Sequence, residues 1–226
     1  MQRELVEKLN FVYYHRFLHL IMRFKLQFLL TLSFLSIVTF AQADVLWPGW
    51  LGAKRNGWVS YFNPPKKWPQ QLTAVWRVPV GDGYGSPVVK DGLIYLHTRE
   101  EDDEVVWCLD LKTGKTKWRN YYPVPFKMGG GGEPHGKGPK ANPILAQDRF
   151  FTMGITGILT AWDARTGSRI WVVDHRSKFG KRPYPYWGAT TSPLVVEDRL
   201  FIHFGNDDKG FLVALDIDSG NELWRN

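Results

Sequence analysis

The chain has 226 residues, of which 44% are hydrophobic and 15% aromatic, so it is long enough and apolar enough to bury a core. Its single cysteine excludes a fold held together by internal disulfides. The formal net charge of +7 falls to +4 beyond residue 43, where 24 Lys/Arg face 20 Asp/Glu without a basic block, so nucleic-acid binding is not indicated.

The first 43 residues have the layout of a secretory leader preceded by an extra segment. Residues 1–21 mix charged and aromatic side chains, and we interpret them as an extension upstream of a start at Met22. A short basic stretch then leads into the apolar run 26–40 and a small-x-small sequence that ends at Ala43. This order predicts a signal peptide over 22–43, cleaved after Ala43.

The leader also indicates a compartment. Its apolar run of about 15 residues is shorter than the roughly 20 that a membrane-spanning helix needs, although an uncleaved anchor is the alternative. We expect the mature chain to be periplasmic or secreted, with no stable membrane span and with helix only within residues 4–40.

Residues 44–85 are rich in Pro, Gly and Trp, which predicts an irregular wrap rather than regular structure. One strand is expected at its end, over residues 74–80, with Trp76 on it. Because no three strands precede it, this is an orphan strand of the kind that closes a ring with strands from the other terminus.

A unit of eleven residues occurs three times, over 108–118, 161–171 and 214–224, with a constant spacing of 53 residues between copies. Each copy contains Asp-x-x-Thr/Ser-Gly, which predicts a tight turn in which Gly takes a positive φ, followed by a Trp whose ring covers the neighbouring unit. The recurring structural positions are Asp110, Gly114, Trp118, Asp163, Gly167, Trp171, Asp216, Gly220 and Trp224.

Four antiparallel strands are predicted for each unit. In the first they are 86–90, 93–98, 105–110 and 116–120, with residues 99–104 as an acidic loop. The turns that separate the first two strands are Asp91-Gly92, Asp148-Arg149 and Asp198-Arg199. Repeating four-stranded units indicate the blades of a β-propeller, and we assign 86–226 to three blades, over 86–120, 141–173 and 192–226.

The connections between units are 81–85, 121–140 and 174–191, which are rich in Gly, Pro and aromatic residues. Such connections gather on one face of a propeller, where ligands and partners bind. The residues that we predict to line a ligand or partner face are Tyr84, His135, Tyr186, Trp187 and Thr190. Loop packing without any ligand is the alternative.

Other polar features have structural interpretations. Cys108 occupies the place of Ala161 and Ala214, which indicates a small buried position rather than a nucleophile. His97 and His203 hold equivalent strand positions, with Gly154 in the second copy, and repeat packing explains them better than a shared ligand. No metal site is predicted, because 206–210 lacks the spacing of a calcium loop.

The Asp-x-x-Thr-Gly-Lys-x-x-Trp element of residues 110–118 resembles the repeat of pyrroloquinoline-quinone-like (PQQ-like) β-propellers, the quinoprotein alcohol dehydrogenase-like superfamily. The resemblance covers 86–226 and implies an all-β partial propeller, within a full ring of seven or eight blades. Residues 47–57 are similar to the N-terminal segment of secreted repeat proteins of this type. Further blades or another chain are then expected to cover the open ends.

Two functions follow from the resemblance. One is an exported scaffold whose loop face binds a protein or a small molecule, with no catalytic residues and no cofactor evident. The other is a fragment of a periplasmic quinoprotein alcohol or sugar dehydrogenase that uses PQQ and Ca²⁺. In that family the quinone packs between a tryptophan and a disulfide of adjacent cysteines, whereas this chain has Cys108 alone.

Overall fold

The computed structural model describes residues 46–59 and 62–226. The predicted extension, signal peptide and leader helix therefore lie outside the described residues. Within that part of the chain, no helix is long and apolar enough to cross a membrane.

Within the described residues, twelve strands form three four-stranded antiparallel sheets, each in sequential strand order. The first sheet contains β1 Val88–Lys90, β2 Leu93–Glu100, β3 Asp103–Asp110 and β4 Thr116–Pro123. The second contains β5 Ile144–Ala146, β6 Arg149–Met153, β7 Ile158–Asp163 and β8 Arg169–Asp174. The third contains β9 Leu194–Val196, β10 Arg199–Gly205, β11 Gly210–Asp216 and β12 Glu222–Arg225. The predicted all-β fold of three blades is confirmed, and two short 3-10 helices lie in the connections, at Glu133–His135 and Arg176–Phe179.

The acidic loop predicted for residues 99–104 is wrong. Strands β2 and β3 pair as far as Glu100 with Asp103, so only a two-residue turn separates them. Arg99 and Glu104 pair across the two strands and both are buried with polar partners: the Arg99 guanidinium donates to the carbonyls of Glu101 and Val124, and the Glu104 carboxylate accepts from the Ile155 N–H of the next sheet.

The turn of each repeat has the hydrogen bonds and the positive φ that its residue types predict. The Asp163 side chain accepts hydrogen bonds from the backbone N–H of Thr166 at 2.8 Å and from its hydroxyl at 3.0 Å. The following Gly167 has φ +74°, in the left-handed region that favours glycine. Corresponding contacts form at Asp110 and at Asp216, so the three turns have one geometry.

The turn glycines of the second and third repeats also pack against the tryptophan of the preceding repeat. A Cβ on Gly167 would lie 2.6 Å from the ring of Trp118, and one on Gly220 would lie 2.7 Å from the ring of Trp171. The Trp118 indole N–H donates to the Ala164 carbonyl at 3.0 Å, and that of Trp171 donates to the Ile217 carbonyl at 3.1 Å. The glycine thus serves both the turn and the interface between sheets.

Trp76 makes the same contact with the first sheet, although the strand predicted for 74–80 does not form. Its indole N–H donates to the Leu111 carbonyl at 3.0 Å, and its ring would meet a Cβ on Gly114 at 2.8 Å. Residues 74–80 are without a strand assignment because no described strand lies beside them to pair with their backbone. The Trp76 side chain therefore docks on the first sheet although its own segment forms no strand.

Apolar side chains fill the spaces between sheets. Between the first and second sheets, Tyr95, Cys108 and Tyr122 pack against Phe150 and Trp162. The prediction that Cys108 is a small buried residue is confirmed, since its side chain is fully buried.

Between the second and third sheets, Phe151, Met153 and Leu159 pack against Leu200 and Ile202. The forward face of the third sheet has no following sheet among the described residues, and Trp224 is 42% exposed there.

Strand register corrects one predicted equivalence. His97 pairs with Val106, Met153 with Leu159 and His203 with Leu212, and each partner lies four residues before the turn Asp of its repeat. The second-sheet counterpart of His97 and His203 is therefore Met153, not Gly154. Gly154 is one position out because the second hairpin, from Arg149 to its partner Asp163, is shorter than the first, from Leu93 to Asp110.

Candidate functional site

The segment 81–85, which leads into the first sheet, and the two connections between sheets meet at one edge of the fold, the edge that also carries the turns between the second and third strands of each sheet. Their Gly and Pro content explains the proximity. A Cβ on Gly138 would lie 2.6 Å from the backbone of Asp82, and one on Gly129 would lie 2.2 Å from the ring of Tyr186. Only glycine permits such close approach, so these residues bring the loops together.

Tyr84 is held on this edge by its backbone. The Tyr84 N–H donates to the Pro139 carbonyl at 2.9 Å, and the neighbouring Asp82 exchanges backbone hydrogen bonds with Arg99 of β2 at 2.9 and 2.7 Å. The Tyr84 side chain remains 57% exposed. A fixed backbone with an exposed aromatic ring is an arrangement suited to contact with a partner.

Tyr186 joins two connections and a hairpin. Its carbonyl accepts from the Gly129 N–H, and its phenol oxygen accepts from the Gly130 N–H, both at 3.1 Å. Its own N–H donates to a carboxylate oxygen of Asp207 at 2.8 Å, in the turn between β10 and β11. The ring is 45% exposed, and the guanidinium of Arg182 lies 5.8 Å from its centre.

Trp187 and His135 form the centre of the group. Their ring centres are 5.6 Å apart, and the Lys140 ammonium donates to the Trp187 carbonyl at 2.7 Å. Trp187 is 52% exposed. We call the residues Tyr84, His135, Tyr186 and Trp187 the loop cluster.

Thr190, the fifth residue predicted from the sequence, lies beside the loop cluster, at the wall of a cavity between the second and third sheets. The cavity has a volume of about 220 Å³. Its wall also contains Thr156, His175 and Arg176, which sequence reasoning missed. His175 directly follows β8, and a histidine at that place was the available signal.

A second buried polar group lies between the first and second sheets. The carboxylate of Glu104 accepts hydrogen bonds from the Tyr122 hydroxyl and from the Ile155 N–H, the latter at 2.6 Å, and His97 Nε2 lies 3.4 Å away. A Cβ on Gly154 would lie 2.2 Å from this carboxylate, so Gly154 makes room for it.

The pKa of Glu104 reflects these contacts. Burial alone would raise it, but the interaction with His97 and the hydrogen bonds from Tyr122 and the Ile155 N–H together hold the pKa of the carboxyl below its usual value. The same site raises the pKa of Tyr122 well above its usual value, through burial and the nearby carboxylate. Glu104 is therefore a charged link between two sheets.

Comparison with known proteins identifies the family. A family model described as "Outer membrane protein assembly factor BamB" matches residues 69–129 and 125–226, which is well over half of the chain. The chain belongs to this PQQ-like β-propeller repeat family. The strand order and the recurring turns described above are consistent with that membership.

Curated relatives include enzymes and an assembly factor. The chain is 30% identical over 189 residues to the quinohemoprotein alcohol dehydrogenase ADH-IIG of Pseudomonas putida, covering 79% of this chain and 25% of that protein. It is 25% identical over 155 residues to the outer membrane protein assembly factor BamB of Shewanella oneidensis, covering 66% of this chain and 35% of that protein. The chain thus spans about a quarter to a third of the length of these relatives.

Solved structures show the same two classes. The Pseudomonas putida ADHIIG structure matches with a TM-score of 0.49 at 26% identity, covering 66% of this chain and 21% of that one. BamB from Moraxella catarrhalis matches with a TM-score of 0.46 at 19% identity, covering 67% and 42%.

The resemblance to quinoprotein dehydrogenases implies a quinone and a calcium ion. Calcium takes six to eight oxygen ligands. Within residues 46–59 and 62–226, no three His, Cys, Asp or Glu side chains come close enough to share a metal ion. The buried carboxylate of Glu104 is already bonded within the protein, and the cavity of about 220 Å³ is below the roughly 300 Å³ at which pockets for larger ligands begin. The described residues therefore bring together no His, Cys, Asp and Glu set for a metal ion.

Proposed function

We propose that this chain is part of an exported PQQ-like propeller scaffold that binds a protein partner through the loop cluster. The observation that carries the proposal is the convergence of three rings on one edge, Tyr84, Tyr186 and Trp187, each about half exposed and each fixed through its backbone. Exposed aromatic residues of low conformational freedom are the side chains that contribute most at protein interfaces.

Charge near the loop cluster supports the same interpretation. Lys140 is tied to the Trp187 carbonyl, and Arg182 stacks on Tyr186, so both place positive charge beside exposed aromatic rings. Arginine with tyrosine and tryptophan is the composition of interface centres, while a rim of charge directs encounter with an oppositely charged partner. These two cations outnumber the one carboxylate that is hydrogen-bonded to the loop cluster among the described residues, that of Asp207, so we propose an acidic protein segment as the partner.

Site-specific photo-crosslinking in cells of the producing organism tests the proposal. A photoreactive amino acid at Tyr84 is expected to give a discrete protein adduct, and the adduct is expected to disappear when Trp187→Ala is added. The control is the same probe at Lys112, which is exposed in a turn at the opposite edge of the first sheet. Equal adducts from both positions, or adducts unaffected by Trp187→Ala, would contradict a partner on the loop cluster.

A second candidate function is a segment of a quinoprotein alcohol dehydrogenase, favoured by the 30% identity to ADH-IIG over 189 residues. Under the scaffold proposal, purified protein with PQQ and Ca²⁺ added does not reduce an artificial electron acceptor with alcohols or sugars. Quinone-dependent dye reduction that is lost in Trp187→Ala or His135→Ala would favour the enzyme instead.

A further inference from the structure

The repeat makes the two junctions between sheets comparable position by position, and they differ at one place. Glu104 lies six residues before the turn Asp110, and the residue six before Asp163 is Gly157. The first junction thus has a carboxylate where the second has no side chain. Gly157 has φ +82° and no atom within 4 Å of where its Cβ would be, so nothing else fills that space.

Gly157 lies in the wall of a cavity of about 220 Å³ between the second and third sheets. At about 30 Å³ for each water in the liquid, its volume is that of roughly seven waters. Besides Gly157, its wall contains Met153, the counterpart of His97, and Gly205, the counterpart of Ile155. The cavity therefore lies where the first junction has its buried carboxylate.

Polar groups that can donate a hydrogen bond line this cavity. Tyr122 of β4 is the strand-pairing partner of Glu104 in β3 and donates a hydrogen bond to it. In the second sheet Ile158 of β7 pairs with Asp174 of β8, so the adjacent residues Gly157 and His175 lie opposite each other. His175 Nε2 and the Thr156 hydroxyl are both buried in the cavity wall without a hydrogen-bond partner among the described residues. A buried polar atom without a partner costs stability, so such atoms in a cavity wall indicate a missing ligand.

The hydrogen-bonding groups of the wall indicate the chemistry of that ligand. The wall residues include Arg176 and no Asp or Glu. The guanidinium of Arg176 forms a bidentate contact with Asp174 at 2.7 to 3.0 Å, which fixes its position at the cavity. The Arg176 guanidinium, the His175 Nε2 and the Thr156 hydroxyl can each donate a hydrogen bond to a carboxylate, while Met153 and Phe204 in the wall favour a short carbon chain beside it.

We propose that this cavity binds a small organic carboxylate, whose carboxylate group takes the place that the Glu104 side chain fills at the preceding junction. The ligand is held by His175, the Thr156 hydroxyl and the neighbouring Arg176. Its size is limited to a few carbon atoms by the cavity volume. This inference does not depend on the proposed partner of the loop cluster.

Lactate and acetate are suitable probes, titrated into the purified protein at ionic strength held constant with sodium chloride. The melting temperature is expected to rise with lactate or acetate in a saturable manner, as for a ligand that binds the folded state only. Lactamide, which has the same shape without the charge, is expected to have no effect. Equal shifts from lactate, lactamide and chloride would overturn the proposal, as would the absence of any saturable shift.

Two variants locate the binding. His175→Phe keeps a ring against Phe204 and Phe211 but removes the nitrogen donors, and Thr156→Val is isosteric without the hydroxyl. Each is expected to weaken lactate binding at least tenfold. Thr156→Val removes an unpaired buried hydroxyl, so it is expected to fold even if His175→Phe does not. Unchanged affinity in Thr156→Val would overturn the proposed site.

His135→Phe is the matched control, since it makes the same change on the same edge but in the loop cluster. It is expected to bind lactate as the wild type does, because His135 lies outside the cavity wall. Loss of lactate binding in His135→Phe alone would place the anion site in the loop cluster and overturn the cavity. Loss of the Tyr84 adduct with lactate binding intact would instead count against the protein partner only.

Discussion

Trp171 and Trp224 occupy the same position of the repeat but have different surroundings. Trp171 packs on Gly220 of the following sheet and donates its indole N–H to Ile217, whereas Trp224 has no following sheet among the described residues and is 42% exposed. The motif therefore specifies a side chain that is ready to dock, and burial depends on the neighbouring repeat. Contacts between neighbouring sheets therefore contribute more to the stability of the fold than contacts within one sheet.

The largest effect is expected from removing the docked tryptophan. Trp171→Ala should lower the free energy of unfolding by about 3–5 kcal/mol, since it empties a large aromatic site between two sheets. Trp224→Ala is the matched control and should change it by less than about 1 kcal/mol. Urea denaturation of both variants measures the difference, and equal losses would mean that docking on the next sheet is not what stabilises the fold.

Substitution of the turn glycine against which the tryptophan packs should have the next largest effect on stability. Gly167→Ala forces a Cβ into the ring of Trp118 at a backbone with φ +74°, and should cost about 2–4 kcal/mol from overpacking and strain together. Gly92→Ala has nearly the same φ, +72°, with nothing within 4 Å, and should cost only about 1–2 kcal/mol. Thermal melts of the pair separate strain from contact, and identical melting temperatures would contradict the proposed close contact.

The buried carboxylate distinguishes the first junction from the second. Glu104→Gln keeps the size of the side chain but weakens the hydrogen bonds from Tyr122 and Ile155, and should cost about 1–3 kcal/mol. Glu101→Gln, in the exposed turn of the same hairpin, should be neutral within about 0.5 kcal/mol. Should the two variants unfold at the same urea concentration, Glu104 would have no role in holding the sheets together.

The smallest expected effect is a pH dependence. The folded-state pKa of Glu104 is lowered, so its stabilisation is present above the unfolded value of about 4.3 and is lost as pH falls through the folded value. The difference in unfolding free energy between wild type and Glu104→Gln should therefore stay constant from pH 7 to about 5 and shrink below about 4. A difference at pH 3 as large as that at pH 7 would rule out ionisation as its source.

The fold could be predicted because its signals are local. Asp-x-x-Thr/Ser-Gly-x-x-x-Trp determines a turn, a positive φ and an outer strand within eleven residues, and three copies at a spacing of 53 determine the array. The prediction of a strand over 74–80 was wrong because a strand forms only beside a hydrogen-bonded neighbour. The sequence of 74–80 does not show whether such a neighbour is present. The acidic loop at 99–104 was wrong for a similar reason, since Glu104 is buried only because of the next sheet.

The candidate site was less predictable than the fold. Composition identified the loops that carry Tyr84, His135 and Trp187, because Gly and Pro mark connections wherever they occur. The cavity depends on a side chain that is missing at Gly157, and on strand register that places His175 opposite it. Such a difference becomes visible only after the repeats are aligned through their hydrogen bonds, as the one-residue error at Met153 shows.

The contact between Trp118 and the carbonyl of Ala164 joins residues 46 positions apart in the chain. In a chain that emerges N-terminus first, each sheet can therefore form its strands before the residue that secures its tryptophan exists. At synthesis rates of roughly 5–20 residues per second, that interval lasts roughly 2–9 s, during which the outer strand carries an undocked indole. The tryptophan of each repeat is thus docked only after the next repeat has been synthesised. Until then the growing end of the nascent chain carries one undocked aromatic side chain.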